Sequence, residues 1–128
     1  MFCTNVLVME PGSEIADFLA VSFPERSWIL GGVRNLEELR KSLAQTGPGL
    51  TVSLWQPRFW PLFEWLAAHR PEVPVVLLSD AWPNGLHLHL QSLGTLACLR
   101  WPKDKPLLAE TVQRFVQARQ SPTAIRLA

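Results

Sequence analysis

The chain has 128 residues, 48% of them hydrophobic, which is enough apolar sequence for the core of one domain but not of two. Its formal net charge of +1, with acidic and basic residues interspersed, lacks the basic footprint typical of domains that bind nucleic acid or anionic membranes. No apolar stretch approaches the ~20 residues that span a bilayer, and the amino terminus lacks the features of a signal peptide. The two cysteines, Cys3 and Cys98, belong to no CxxC or Cys/His cluster, so we expect a reduced cytoplasmic protein with no metal and no cofactor.

Apolar runs and amphipathic segments alternate from the amino terminus onward. The first run, 5–9 (NVLVM), has the character of a buried strand, and Ser13 is placed to cap the helix that follows. A second strand is predicted at 28–33 (WILGGV), and Asn35 and Glu38 then have capping-box spacing at the start of a second helix.

The rest of the chain continues the same alternation. Strands are predicted at 50–55, 73–78 and 96–101, and helices at 59–69, 86–93 and 106–117. Uniformly apolar strands that alternate with amphipathic helices indicate a parallel sheet covered on both faces. We therefore predict an α/β fold, a doubly wound five-stranded parallel sheet in a flavodoxin-like three-layer sandwich. It spans residues 1–119, and 120–128 form a tail or the start of a linker. Ligands of such folds bind at the carboxyl ends of the strands.

Two segments carry a family resemblance. The opening VLVMEPGSEI has an apolar strand that ends at an acid ahead of a helix. From Ser79 to Pro102, a hydroxyl residue ends the fourth strand, a glycine follows the fourth helix and a residue–proline pair ends the fifth strand. In these features the chain resembles the receiver domain of bacterial two-component response regulators, over about Val6 to Val116. The resemblance implies the receiver fold.

The same resemblance implies a phosphorylation pocket, in which two acids after the first strand hold magnesium and an aspartate ending the third strand accepts phosphate. In this chain the acid pair is replaced by Glu10 and Pro11, and a single carboxylate holds magnesium poorly. No Asp or Glu lies between Glu38 and Glu64, so the third strand ends at Leu54 and Trp55 without an acceptor.

The remaining family positions are altered as well. The lysine that ends the fifth strand of a receiver is replaced by Trp101, which removes a cation from the pocket. Cys98 falls at the aromatic switch position, and only Ser79 keeps the family's residue type. We interpret the chain as a pseudo-receiver, a degenerate receiver that is not phosphorylated.

The tryptophans are the main candidates for contact residues, because Trp is enriched at interaction hot spots. Trp55 and Trp101 are expected at the strand ends, where they either line a binding surface or fill the vacated hollow. Trp82 lies in a predicted loop, so we expect it to be exposed. Trp60 and Trp65 lie off the apolar stripe of the third helix, so at least one of them should face solvent.

These observations predict a domain that acts by protein–protein interaction in bacterial signal transduction or transcriptional regulation, as the amino-terminal module of a larger protein. The resemblance implies partner binding or self-association through the surface of the fourth helix, fifth strand and fifth helix. The alternative is a small-molecule sensor with an apolar crevice walled by Trp55 and Trp101. No catalytic set is evident, since Ser79 lacks the glycines of a nucleophile elbow and His87 and His89 fall on different faces of a helix.

Overall fold

The computed structural model describes residues 5–46, 49–82, 85–86 and 95–120. Within them, five strands form one parallel sheet: β1 (Asn5–Met9), β2 (Ile29–Gly32), β3 (Leu50–Leu54), β4 (Val75–Ser79) and β5 (Ala97–Arg100). The helices are α1 (Glu14–Ser22), α2 (Leu36–Thr46), α3 (Trp60–His69), which follows a 3-10 turn at Pro57–Phe59, and α4 (Lys105–Gln120). The helix predicted at 86–93, with His87 and His89, lies outside the described residues apart from its first position.

The strand order is β2-β1-β3-β4-β5, so the chain reverses its direction of winding between β1 and β3. All the pairings are parallel, and Met9 lies beside Ser53 at the ends of β1 and β3. Leu54 likewise lies beside Leu78 near the ends of β3 and β4. The carboxyl ends of the strands therefore meet at one edge, and the predicted doubly wound parallel sheet is confirmed.

Two apolar clusters fill the space on the two faces of the sheet. Val8 and Val52 face α1 and α4, where they meet Ile15, Leu19 and Leu108. Met9, the residue after Val8, points the opposite way because side chains alternate across a strand. Together with Leu77 of β4, it packs against α2 and α3, with Leu39, Leu62 and Leu66. The result is the predicted three-layer sandwich.

The structure confirms one of the two predicted helix caps and contradicts the other. The Asn35 side chain does cap α2, since its Oδ1 accepts a hydrogen bond from the Glu38 amide at 2.9 Å. Ser13 precedes α1, but its side chain makes no capping hydrogen bond and instead donates to Asp17 Oδ2 at 3.0 Å. The prediction that Ser13 caps α1 is therefore wrong, and a more distant residue does so.

Helix α3 forms where its apolar spacing predicts it. Its core stripe comprises Phe59 in the preceding turn together with Leu62, Phe63 and Leu66, all buried. Trp60 lies outside this stripe and is 38% exposed, which confirms that at least one of the two off-stripe tryptophans faces solvent. The same helix therefore packs against the sheet with one face and exposes an aromatic ring on another.

The last helix is longer than the sequence predicts. Pro106 lies in its first turn, where the missing amide hydrogen costs nothing. The helix continues past residue 117 to Gln120, which is the first residue of the predicted tail. Residues 121–128 and Cys3 lie outside the described residues. Within the described part of the chain, no helix has the length and apolarity needed to cross a membrane.

Candidate functional site

The candidate site is the edge where the carboxyl ends of β1, β3, β4 and β5 meet. Backbone hydrogen bonds extend the pairing one residue beyond the strands. Trp55 N–H donates to Leu78 O at 2.7 Å, and Trp101 N–H donates to Ser79 O at 2.9 Å. The sheet thus holds the residues after each strand in fixed positions.

Glu10 directly follows β1 and is 8% exposed. Its two carboxylate oxygens accept hydrogen bonds from the backbone amides of Ile15 and Ala16, each at 2.9 Å. These amides belong to the first turn of α1, where backbone N–H groups have no partner inside the helix. Glu10 is therefore the side-chain cap of α1, and its negative charge lies at the positive end of the helix dipole.

The arrangement around Glu10 does not fit the magnesium ion that a receiver pocket holds. Both Glu10 oxygens are occupied by amides, and the exposed Pro11 beside it has no ligand atom in its side chain. Among the described residues, no group of three or more His, Cys, Asp or Glu side chains is placed to share a metal ion. We therefore derive no chemistry at this edge that depends on a metal.

The end of β3 carries an aromatic cluster in place of a carboxylate. Trp55 meets Trp60 edge-on with ring centroids 5.1 Å apart, and it contacts Phe63 and Trp82 at 6.4 and 6.1 Å. We call these four residues the Trp55 cluster. Such edge-to-face and tilted pairs add about 0.5–1.5 kcal/mol each beyond the area they bury. Leu54, which precedes the cluster, is half-buried and packs against both cores.

An apolar groove opens on the outer side of the Trp55 cluster. It has a volume of about 400 Å³ and is lined by Trp55, Gln56, Pro57 and Trp60. Trp55 is half-buried at its inner wall, and Trp60 forms the exposed wall. Trp55 therefore fills the hollow at the strand end and also lines an open groove.

Trp82 does not have the exposure expected of a loop tryptophan. It is half-buried against the α2 and α3 side of the core, and its indole Nε1–H donates to Leu99 O at 3.0 Å. This hydrogen bond ties the segment after β4 to the neighbouring edge strand β5. The expected exposure of Trp82 is therefore wrong, because its ring packs on the core and its indole is hydrogen-bonded to β5.

Trp101 lies on the other face of the sheet. It is buried in the core with α1 and α4 and packs edge-on against Phe18, with ring centroids 5.6 Å apart. The Lys105 ammonium lies 5.5 Å from the Trp101 ring and 5.7 Å from that of Phe18. Trp101 therefore fills the core, and the prediction that Trp55 and Trp101 wall one crevice is wrong.

Ser79 and Cys98 occupy two further positions of the expected receiver pocket. The Ser79 hydroxyl donates to Ala81 O at 2.8 Å and so closes the turn after β4. Burial raises the pKa of the Cys98 thiol, and a contact of 3.9 Å with Thr95 Oγ1 lowers it by less. The thiol is therefore protonated at neutral pH, which leaves it a poor nucleophile.

Trp65 is separated from the strand-end site. It lies on the side of α3 that faces α2, where it stacks on His69 with centroids 5.2 Å apart and an interplanar angle of 17°. Trp60 and Trp65, both predicted as contact residues, thus belong to different surfaces. Sequence reasoning also missed the cap formed by Glu10, since a carboxylate that reaches amides five and six residues ahead has no helix-start signature.

No family model and no curated protein matches this sequence, whereas solved structures do. A two-component response regulator from Clostridium difficile is 16% identical, with a TM-score of 0.72 over 92% of this chain and 99% of that chain. The signal receiver domain of a histidine kinase from Syntrophus aciditrophicus is 23% identical, with a TM-score of 0.69 over 92% and 93%. The beryllofluoride-activated NtrC4 receiver domain dimer is 16% identical, with a TM-score of 0.71 over 88% and 97%. This chain therefore has the fold of response-regulator receiver domains.

Proposed function

We propose that the chain is a pseudo-receiver, a signalling domain that binds a protein partner without being phosphorylated. The observation that carries this proposal is the Trp55 cluster, which occupies the end of β3 where a receiver has its acceptor carboxylate. An aromatic ring cannot accept a phosphoryl group. A binding role, and not an enzymatic one, is what this edge supports.

The hydrogen bonds of Glu10, which follows β1, also support a domain that is not phosphorylated. A carboxylate that leaves the amides of Ile15 and Ala16 to bind a metal ion deprives two helix-end donors of their partner, one buried and one half-buried. An unsatisfied buried polar group costs about 1–3 kcal/mol. Metal binding by Glu10 in place of these two amides would therefore weaken the start of α1.

The groove at Trp60 is the contact surface that we assign to a protein partner. Its walls are rigid, because Trp55 is held by Phe63 and Trp82 from behind. Large, preorganised aromatic rings lose little side-chain entropy on binding and dominate many interfaces. Trp60 is the exposed member of the Trp55 cluster, so its removal should weaken binding more than that of any other residue in the groove.

A second contact surface includes β5 and the last helix. Leu96, just before β5, and Leu107, in the first turns of α4, are 48% and 47% exposed. We propose self-association through this surface, which the sequence resemblance implies and for which the NtrC4 receiver dimer is a structural parallel. The variant with Leu96→Asp and Leu107→Asp should then be more monomeric than the parent in sedimentation velocity. Val21→Asp with Ile29→Asp, which alters two other exposed apolar residues, is the matched control.

A small-molecule sensor is the second candidate, because the groove at Trp60 is apolar and about 400 Å³ in volume, within the ~300–1,000 Å³ typical of ligand sites. Quenching of tryptophan fluorescence by members of a metabolite set, lost in Trp60→Ala, would favour a sensor. The absence of such quenching together with partner binding would favour the protein-contact role.

The proposal is tested with beryllofluoride and magnesium, which mimic phosphorylation of a receiver. We expect the amide spectrum and tryptophan fluorescence of this chain to be unchanged at concentrations that saturate the NtrC4 receiver domain, which serves as the positive control. Shifts of amides next to Glu10 and Trp55 would overturn the proposal.

The contact surface is tested with a photo-cross-linking amino acid placed at position 56, which lines the groove beside Trp60, in the protein expressed in its host cell. A partner should cross-link from position 56 and not from the control position 21, which is exposed on α1. Trp60→Ala should reduce the cross-link, because it removes the exposed wall of the groove. Equal capture from both positions would contradict a specific surface.

A further inference from the structure

Helices α2 and α3 leave an open groove between them, which we call the α2–α3 groove. It has a volume of about 790 Å³ and is lined by Leu36, Glu37, Arg40, Lys41, Ala44, Trp65 and Arg70. It shares no lining residue with the groove at Trp60. The two sites are therefore separate surfaces, and a ligand of one need not contact the other.

The charges of the α2–α3 groove are unbalanced. It has three cationic side chains and one anionic side chain, Glu37, in a protein whose formal net charge is only +1. Arg70 is 28% exposed and pairs with Glu72 at 2.5 Å. Arg40 and Lys41 are exposed neighbours on α2, and within the described residues neither takes part in an ion pair within 4.0 Å. Their charges are available to an anionic ligand.

The floor of the groove is apolar and held in place. Trp65 is half-buried against the α2 and α3 core, and its ring stacks on His69 at 5.2 Å. His69 Nδ1 also lies 3.2 Å from Trp65 O, which fixes the imidazole beside the indole. Leu36 continues the floor towards the start of α2. A ring whose position is already fixed loses little conformational freedom when a ligand packs on it.

We propose that the α2–α3 groove binds an acidic amphipathic segment of a partner protein, with apolar side chains on Leu36 and Trp65 and carboxylates towards Arg40 and Lys41. The charge complementarity selects a carboxylate-bearing ligand. An open groove with four ionised lining residues does not enclose a small molecule, which typically buries 70–90% of its surface in an apolar site. A nucleic-acid backbone is disfavoured because the protein, with a formal net charge of only +1, lacks the extended basic surface typical of nucleic-acid-binding domains.

The test uses the full chain and a fluorescein-labelled helical peptide in which leucines and glutamates recur on adjoining faces. Fluorescence anisotropy should show binding that weakens about tenfold in the Arg40→Ala, Lys41→Ala double variant and weakens further as salt rises. The matched control is the Lys103→Ala, Arg114→Ala double variant, which removes the same charge from exposed residues elsewhere and should bind as the parent does. Trp65→Ala should weaken binding as well, provided circular dichroism shows that the fold is retained.

Four results would overturn the proposal. They are equal binding of a peptide with glutamine at every glutamate, equal weakening in the control variant, tighter binding of single-stranded DNA than of the acidic peptide, and amide shifts at 55–60 in place of 36–44. Trp60→Ala should leave this binding unchanged. Binding in the α2–α3 groove is therefore tested independently of the partner surface at Trp60.

Discussion

At the scale of single residues, Glu10 has a different role in the structure from the one that the receiver resemblance implies. In the receiver resemblance it stands for a magnesium ligand, whereas in the structure it closes the first turn of α1 through two amide hydrogen bonds. The carboxylate is well suited to both tasks, since each requires a negative charge at a fixed position. Only the geometry distinguishes them.

We predict that Glu10→Gln lowers the free energy of unfolding by about 1–2 kcal/mol, because an amide has one acceptor oxygen for two N–H donors and no charge for the helix end. Urea denaturation measures this difference. Glu14→Gln, an exposed acid in the same helix turn, is the matched control and should change stability less. Magnesium should not stabilise the parent. A large stabilisation by magnesium that Glu10→Gln abolishes would contradict the capping role.

A second residue-scale prediction concerns Asp104, just before α4. Its carboxylate accepts a hydrogen bond from the Arg100 amide at 2.9 Å, which lowers the pKa of Asp104, and the Arg100 guanidinium lowers it less. A carboxyl whose pKa is lower in the folded state takes up a proton more readily in the unfolded state. Its contribution to stability is therefore present above about pH 4, the ordinary aspartate range, and is lost as the pH falls further.

In Asp104→Asn, the loss of stability on acidification below about pH 4 should be smaller than in the parent. Denaturation curves collected across this pH range measure the two slopes. Identical slopes would show that the hydrogen bond to the Arg100 amide does not persist in solution.

At the scale of elements, the sequence predicts where strands and helices lie but not how residues at their ends are oriented. The apolar runs located β1 and β3, and the stripe of Phe59, Leu62, Phe63 and Leu66 located the buried side of α3. Because side chains alternate along a strand, Trp55 lies on the same face of the sheet as Ser53, and Trp101 lies on the same face as Leu99. Which helices cover each face depends on the sheet topology, so their separation onto opposite faces required the structure.

The contact between β1 and the start of β3 leads to an element-scale prediction. A Cβ atom added at Gly49 would lie 2.3 Å from Asn5 O, a backbone atom that cannot move without disturbing the strand pairing. Gly49→Ala should therefore destabilise the protein by about 1–3 kcal/mol or more, as overpacking does. Gly12→Ala is the matched control, because its Cβ would meet nothing within 4 Å. Equal denaturation midpoints for the two variants would contradict the close approach.

At the scale of the whole molecule, the chain shares the receiver fold at 16–23% identity with the structures compared above, and its strand ends carry the Trp55 cluster and the cap formed by Glu10. The alternation of apolar runs predicted the parallel sandwich, because layered packing depends on residue class and not on particular residues. The position of the strand-end site followed from the predicted topology, because the carboxyl ends of parallel strands meet at one edge. Its actual contents, namely the Trp55 cluster and the cap formed by Glu10, did not, because they depend on contacts between segments distant in sequence.

The same reasoning explains why the tryptophans could not be sorted from the sequence. Trp60 lines an open groove, Trp82 is tied down by a hydrogen bond to Leu99, and Trp101 fills the core. All three follow a strand or lie near its end, so their positions in the sequence do not distinguish an exposed ring from a buried one. Burial, which decides their roles, is a property of the assembled layers.

Intact mass spectrometry after incubation with acetyl phosphate and magnesium directly tests the proposal that this chain, whose β3 strand ends without a carboxylate, is not phosphorylated. The NtrC4 receiver domain, treated in parallel, establishes that the reagents are active. We predict that the mass of this chain stays unchanged while the control gains one phosphoryl group. A phosphoryl adduct on this chain that hydroxylamine removes, as it does an acyl phosphate, would contradict the account.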